Sequence, residues 1–480
     1  MADDVRRWPA LAVGLVAAFM TLLDVSIVNV ALPSIETALR AGPSGLQWVL
    51  SGYALTFGLV LVPAGRFGDV HGRRTVFVVG LALFTLSSAA AGAAASPAWL
   101  IAARLVQGAA AGVVNPQVAG LIQQLFRPPE RGRPFGMLGA VIGISTAVGP
   151  LLGGALIALA GTQQGWRWVF YVNVPVGVPT SLFAWRLLPG RAATGRPGRS
   201  GLDLVGVALL GVGVLLVLLP LVQDQQWRGA AKWLFIPAGL TVLAGFAGWE
   251  HRYGRRREPV FRLTLFGLRS YTLGALIGLL YFAGFTAIFF VFSLFLQFGL
   301  GYSALVAGVS ITPFALGSAA TAAFGGRIVN RFGRPLVATG LVMVAIGLGA
   351  VMVALHFVPG RGAPLVMAAP LLMAGLGSGL VITPNQTLTL SEVPVAQAGS
   401  AAGMLQTGQR IGAAAGIAGV GSVFFSALAA THGGWSRAFR DALVIAIGFV
   451  LVALVAAVAD SALHHRAARR RERETAPAPG

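Results

Sequence analysis

Apolar runs close to twenty residues long recur along the whole chain, each closed by charge or by a Pro/Gly cluster. Fourteen can be marked off: 9–32, 46–65, 75–95, 98–122, 135–159, 168–187, 203–222, 232–250, 271–297, 303–325, 336–356, 363–388, 404–429 and 438–462. As a helix, such a run spans about 30 Å of hydrocarbon at ~1.5 Å per residue. The pattern predicts an all-α integral membrane protein with fourteen transmembrane helices. The N-terminal run is too long for a secretory leader, and Asp24 interrupts it, so it is read as the first span.

Composition agrees. Of 480 residues, 56% are hydrophobic and only 10% charged, too few charges to cover a soluble protein of this size. The formal charge of +20 is distributed by side. Twenty-six of the 35 Lys and Arg fall in the tails and in the loops on their side, and 7 in the opposite loops. Arg104 and Arg410 fall inside spans. The positive-inside rule therefore places both termini in the cytoplasm of a cell (inner or plasma) membrane, where the basic loops meet anionic lipid. No segment is long enough for a folded basic domain, so no nucleic-acid partner is expected.

Several chemistries drop out. There is no cysteine, and no HExxH pattern, so no metal site is expected. The lone lysine, Lys232, has no phosphate-cradling loop around it. If the chain moves something uphill, ATP bound to it is not the energy source, and no cofactor is expected.

An internal repeat gives the organisation. Residues 65–74 read GRFGDVHGRR and residues 326–335 read GRIVNRFGRP. Gly65, Arg66, Gly72 and Arg73 recur as Gly326, Arg327, Gly333 and Arg334 at a constant offset, after spans 2 and 10. Duplicated halves follow. The expected units are a six-helix bundle (1–190), a linker with two extra helices (191–265), a second six-helix bundle (266–462) and a tail (463–480).

Five stretches in order carry a family resemblance. GRFGDVHGRR resembles the loop motif of the major facilitator superfamily. LDVSIVNVALP (23–33) is similar to the helix 1 motif of its fourteen-helix drug:proton antiporters, the EmrB/QacA type. RLVQGAAAGVVNP (104–116) resembles the helix 4 motif, GAVIGISTAVGPLLGG (139–154) the helix 5 antiporter signature, and WRWVFYVNVPVG (166–177) the entry to helix 6. The second half matches less strongly, mainly in GSAAGMLQTGQRIGAAAG (399–416), and Asn330 stands where the first loop has Asp69.

Asp24 is the one acid deep inside a span. An ionisable residue there costs at least ~3 kcal/mol unless it is neutralised or paired. Burial favours the protonated form of a carboxyl and a nearby cation the ionised form, the balance a proton carrier requires. Arg104 lies on span 4 at a matching depth, ~27 Å against ~21 Å above the inner ends, so the two can pair if helices 1 and 4 adjoin. The resemblance implies the same proton-coupling roles. Thr21 shares the Asp24 face; Asn29, about 140° around the helix, is expected to bond a neighbouring helix. Arg410, near the inner end of span 13, is expected to snorkel to the interface.

The remaining candidates are structural devices and cavity walls. In the 65–74 loop, Gly65 and Gly72 allow turning, while Arg66, Asp69, Arg73 and Arg74 can bond helix ends; the resemblance implies a cytoplasmic latch. In span 5, Gly139, Gly143, Gly149, Gly153 and Gly154, with Pro150, allow close helix approach. The resemblance implies packing against the other half that seals the inner side. Tyr281, Phe285, Phe289 and Phe292 share one face of span 9, facing either a substrate cavity or lipid. Thr21, Gln107, Asn115, Asn385 and Gln406 are further polar cavity candidates.

The resulting expectation is an alternating-access exporter, not an enzyme, exchanging inward protons for lipophilic small molecules such as drugs or antibiotics. With a single deep acid, neutral or monocationic substrates are expected. The alternatives are a proton-coupled nutrient importer on the same fold, which the helix 5 glycines disfavour, and a receptor or membrane enzyme, for which no ligand domain or acid/His cluster exists. No large docking segment supports a trans partner in the envelope, and a monomer is compatible with the sequence, which does not fix the oligomeric state.

Overall fold

The computed structural model describes residues 2–475 apart from 128–129, 131, 191–202, 225, 228, 256–258, 260, 359–361 and 395–396. For 2–6, 69–70, 132, 135–136, 142–143, 323–324, 326–327, 330, 398–399 and 464–475 it describes the backbone alone. The long apolar runs are helices: α1 (Ala2–Leu39), α2 (Pro43–His71), α3 (Arg73–Gly92), α4 (Pro97–Leu125), α5 (Gly132–Ala160), α6 (Gly165–Tyr171), α7 (Asn173–Leu187), α8 (Leu204–Val222), α9 (Phe235–Tyr253), α10 (Arg269–Leu294), α11 (Ala304–Phe332), α12 (Arg334–Phe357), α13 (Ala363–Leu390), α14 (Ala398–Ala430) and α15 (Trp435–Thr475). Thirteen described helices are individually long and apolar enough to cross a bilayer. The sixth crossing is shared by α6 and α7, which meet at Val172, so fourteen crossings result. The chain is a multi-pass membrane protein.

Helix lengths exceed the apolar runs because charged and polar residues extend the turns beyond hydrocarbon. α15 runs on to Thr475, so the tail begins as a continuation of the last helix rather than as a separate segment. Leu86, Leu159 and Val455 project outward and are largely exposed, as side chains bathed in lipid would be.

The first seven helices pack on one another, as do α10–α15, while α8 pairs with α9 and lies against both α2 and α14. α8 is capped by Asp203, whose carboxylate accepts from the Gly206 amide at 2.9 Å and from the Trp249 indole at 2.9 Å, pinning α8 to α9.

Gly72 and Gly333 end α2 and α11 and precede α3 and α12. Both have positive φ, 96° and 59°, a region an L side chain enters only under strain. The repeated glycine thus ends a helix at positive φ in both halves, with ψ differing, 121° at Gly72 and −139° at Gly333. A second echo follows helices 4 and 13. Glu130 accepts from Arg7 of α1 at 3.0 Å, and Glu392 accepts from Ser270 of α10 at 2.7 Å.

The two groups of helices meet most closely away from the face that bears the termini. A methyl on Gly308 of α11 would lie 2.3 Å from the Pro150 carbonyl oxygen of α5, and one on Gly154 would lie 2.7 Å from Leu305 Cα. Gln297 donates to the Val30 carbonyl of α1 at 3.0 Å. α2 and α14 touch over most of their length. Gln47 lies against Gly421, and Gly58 accepts from Thr407 at 2.8 Å through its carbonyl. Toward the terminal face of the same pair, Val62 lies against Gly403.

Two expectations for span 5 change. Gly149 and Gly153 abut Ser26 and Ile27 of α1, within the same group of helices, while Pro150 and Gly154 meet the other group. These residues lie ~26–33 Å along α5 from its start at the terminal face. They therefore close the far side, not the terminal side, in this conformation. Gly139 has no neighbour within reach, and the Gly143 position lies outside the residues whose surroundings are described.

Candidate functional site

Asp24 is fully buried inside the first group of helices and does not face lipid. Arg104 of α4 forms an ion pair with its Oδ2 through Nη1. Oδ1 accepts from Gln107 Nε2 at 2.9 Å and from Asn173 Nδ2 at 3.1 Å. The pairing expected from matching depths is present, because α1 and α4 adjoin.

The rest of Arg104 is also satisfied. Its Nε donates to the Val49 carbonyl at 3.1 Å and Nη1 to Gln107 Oε1 at 2.7 Å. The guanidinium lies 4.0 Å from the centroid of the Tyr53 ring, a cation–π contact between two buried side chains. Asn173 reaches Ser88 at 3.0 Å, and Ser88 donates to the Phe170 carbonyl at 2.8 Å. Helices α1, α2, α3, α4, α6 and α7 thus converge on one carboxylate. A buried charge survives only when its lone pairs are filled in this way.

Local packing places these groups. Gly108 lets the α4 backbone approach α2, since a methyl there would lie 2.3 Å from the Tyr53 carbonyl oxygen. The break at Val172 lets Asn173 begin a new helix and turn its amide toward Asp24. Thr21 does not bond Asp24. Its hydroxyl donates to Ala18 and accepts from Asn115 at 3.0 Å, and its carbonyl accepts from the Tyr53 hydroxyl at 3.2 Å. Thr21 and Gln107 are fully buried in this cluster rather than lining an open cavity.

Asn29 donates to the Val25 carbonyl of its own helix at 3.1 Å, not to a neighbour, because a backbone acceptor one turn back is nearer. Asn385 donates to the Gly274 carbonyl at 2.9 Å, tying α13 to α10, and lines a small pocket with Ser270, Arg334 and Asp460. Gln406 is half-buried on α14, one turn before Arg410.

On α10, Tyr281 stacks on Phe285 at 5.5 Å, and Phe285 and Phe289 meet at 5.0 Å. Both phenylalanines contact Phe314 of α11, at 5.7 and 5.3 Å, so this face looks at protein and not at lipid. Phe292 leaves the set. It packs on Phe439 at 6.1 Å, because α15 crosses α10 at that level.

The expected 65–74 loop shrinks to Gly72, since α2 runs on to His71 and α3 begins at Arg73, and its residues make separate contacts. Arg66 donates to the Pro259 carbonyl at 2.8 Å, beyond α9. Arg73 lies over Gly120 of α4, and Arg74 sits 4.2 Å over the Trp185 ring of α7. Gly65 abuts Pro116. The Asp69 side chain lies outside the described residues.

Arg410 overturns its expectation. It does not snorkel to the interface but crosses from α14 to α2, where its guanidinium lies 4.2 Å over the Phe57 ring. Its Cβ fills the space a methyl on Gly58 would need, and it has no acidic partner among the described residues. Phe57 meets Tyr53 edge-on at 5.9 Å.

Tyr53, Ser88 and Asn173 were not singled out from sequence. Asn173 left a signal, an amide within an apolar run; Tyr53 and Ser88 left none, since only tertiary packing aims them at Asp24.

Comparisons with known proteins agree with the fold. The chain is 16% identical to a bacterial homologue of the human lysosomal transporter Spinster, in an inward-facing and unoccupied conformation, with a TM-score of 0.68 over 95% of this chain and 97% of that one. It is 35% identical to the cephamycin export protein of Amycolatopsis lactamdurans, over 94% of this chain and 92% of that protein. It is 34% identical to the puromycin resistance protein of Streptomyces alboniger over 95% and 91%. It is 36% identical to a probable actinorhodin transporter of Streptomyces coelicolor over 88% and 73%. A profile of the Major Facilitator Superfamily matches residues 14–417. With its fourteen crossings, its repeated glycine turns and this match over most of its length, the chain belongs to the major facilitator superfamily.

Proposed function

We propose that this protein is a proton-coupled exporter of lipophilic small molecules, working by alternating access between its two groups of six crossings. Both termini and the basic loops face the cytoplasm of the cell membrane. Asp24 takes up and releases the proton, and Arg104 is its ion-pair partner. The observation that carries the reading is the environment of Asp24: a buried carboxylate held by a guanidinium and two amides, inside the bundle and shielded from hydrocarbon. Export as the direction is supported by the relatives, whose names are those of antibiotic export and resistance proteins.

Neutral molecules and monocations were expected from one deep acid. Arg410 beside the interior adds a second cation against that acid and weights the reading toward neutral molecules. The test uses the full chain in proteoliposomes carrying a proton gradient. N-phenylnaphthylamine serves as a neutral probe and ethidium as a monocation. Adding a transported probe is expected to dissipate the gradient in the wild type and not in Asp24→Asn. Undiminished proton flux in that variant would remove Asp24 from the mechanism.

A further inference from the structure

Asp24 and Arg104 belong to the same packed group of helices, so rocking of one group against the other leaves their separation unchanged. Something on the second group must sense the charge state of Asp24 if proton binding is to drive the conformational change. Arg410 is a cation of the second group that reaches into the first. It lies on α14, ~18 Å from the helix start, and Phe57 lies at a similar height, ~21 Å from the end of α2.

The two arginines sit on two rings in edge contact. Arg104 covers Tyr53 at 4.0 Å, Tyr53 meets Phe57 at 5.9 Å, and Arg410 covers Phe57 at 4.2 Å. The guanidinium groups are therefore no more than ~14 Å apart, close enough to interact through protein. Among the described residues, the charged and titratable groups around Asp24 are Arg104 from α4, Tyr53 from α2 and, beyond the ring pair, Arg410 from α14. α7 contributes only the neutral Asn173. Neither α5 nor α10 places a charged group in contact with Asp24 among the described residues.

We infer that Arg410 is the positioning residue through which the second helix group registers the proton on Asp24. With Asp24 ionised, its charge cancels that of Arg104, and Arg410 rests on Phe57 with the α2–α14 seam closed. With Asp24 neutral, Arg104 is an uncompensated cation, and two like charges face each other across the Tyr53–Phe57 pair. Their repulsion loosens the seam. By linkage, a seam that opens for another reason makes protonation of Asp24 easier. The inference rests on the proton-coupled reading above.

The chain has no cysteine, so a single engineered pair reports on the seam. Val62 and Gly403 face each other across it; a methyl on Gly403 would lie 3.2 Å from Val62 Cγ2. In the full chain carrying Val62→Cys and Gly403→Cys, the rate of disulfide formation is measured at one pH, with and without Asp24→Asn. The substitution is expected to slow cross-linking by up to roughly tenfold, the size of a like-charge interaction at this range. In Arg410→Gln it should have no effect; in Arg410→Lys, which keeps the charge, the effect should return.

Cross-linking indifferent to Asp24→Asn would overturn the inference. So would an equal response in Arg410→Gln and the parent, or a Lys variant that behaves like the Gln variant. Should Arg410→Gln not fold, the Asp24→Asn response in the parent and in Arg410→Lys decides by itself. The seam readout needs no transport, so failed proton exchange would sink the exporter reading while leaving this measurement intact.

Discussion

Gln107 and Asn173, from helices α4 and α7, donate to the same oxygen of Asp24, at 2.9 and 3.1 Å. Each bond is charge-assisted, and with Arg104 on the other oxygen the carboxylate is filled. Asn173→Leu is expected to cost ~1.5–3 kcal/mol while Asp24 is ionised, the range for a hydrogen bond to a charged group. The penalty should shrink in an Asp24→Asn background, and thermal unfolding of the four variants in detergent measures it. Equal penalties in both backgrounds would mean that Asn173 acts through its packing and not through the charge.

The far-side closure depends on glycine. A side chain at Gly154 would overlap Leu305 Cα and the Ala304 carbonyl. Gly154→Val is therefore expected to hold α5 and α11 apart on the far side while leaving each group of helices intact. Spin labels at the far ends of the two helices should report a longer distance, and transport should fall at least tenfold. An unchanged distance with full transport would show that this contact does not form in the working cycle.

The repeated turns should cost alike when strained. Gly72→Ala and Gly333→Ala each force a side chain into positive φ, at ~1–3 kcal/mol apiece. Matched losses of thermal stability are expected. A neutral Gly333→Ala beside a costly Gly72→Ala would mean that the second turn relaxes and that the two loops are not mechanically equivalent.

Glu130 gives a pH-dependent contact outside the membrane. The backbone N–H of Arg127, at 3.2 Å, and the guanidinium of Arg7 hold its carboxyl below the usual carboxylate range. A lowered value in the folded state stabilises the fold above the ordinary carboxylate range and is lost as pH falls through the folded value. Glu130→Gln should lower thermal stability slightly at neutral pH, the effect being small for an exposed pair. The difference from wild type should shrink as pH falls below the ordinary carboxylate range and through the lowered folded value. A difference that persists in acid would assign the effect to packing rather than charge.

Much of this protein is legible in one dimension because the bilayer is a demanding solvent. Any segment crossing it must satisfy its own backbone, so long apolar runs become helices whatever surrounds them. That is why fourteen crossings, the sidedness of charge, the Gly72 and Gly333 turns and the isolation of Asp24 could be read from order alone. Even the Asp24–Arg104 pair followed from depth, since a buried charge leaves few alternatives to a partner at the same level.

Direction around a helix is another matter. The spacing of Phe292 put it with Phe289, yet α15 crosses there and takes it. Gly149 and Gly153 looked like contacts to the other half and serve α1 instead. Arg410 lay few enough residues from the end of its run to suggest escape to water, and packing sent it across the seam to Phe57. The sequence by itself determined how many helices cross and which acid is stranded among them, because those depend on the solvent each residue meets. Only the tertiary structure decided which side chains surround that acid and which cation of the second group faces it, because those depend on how helices rotate and cross, which no single run encodes.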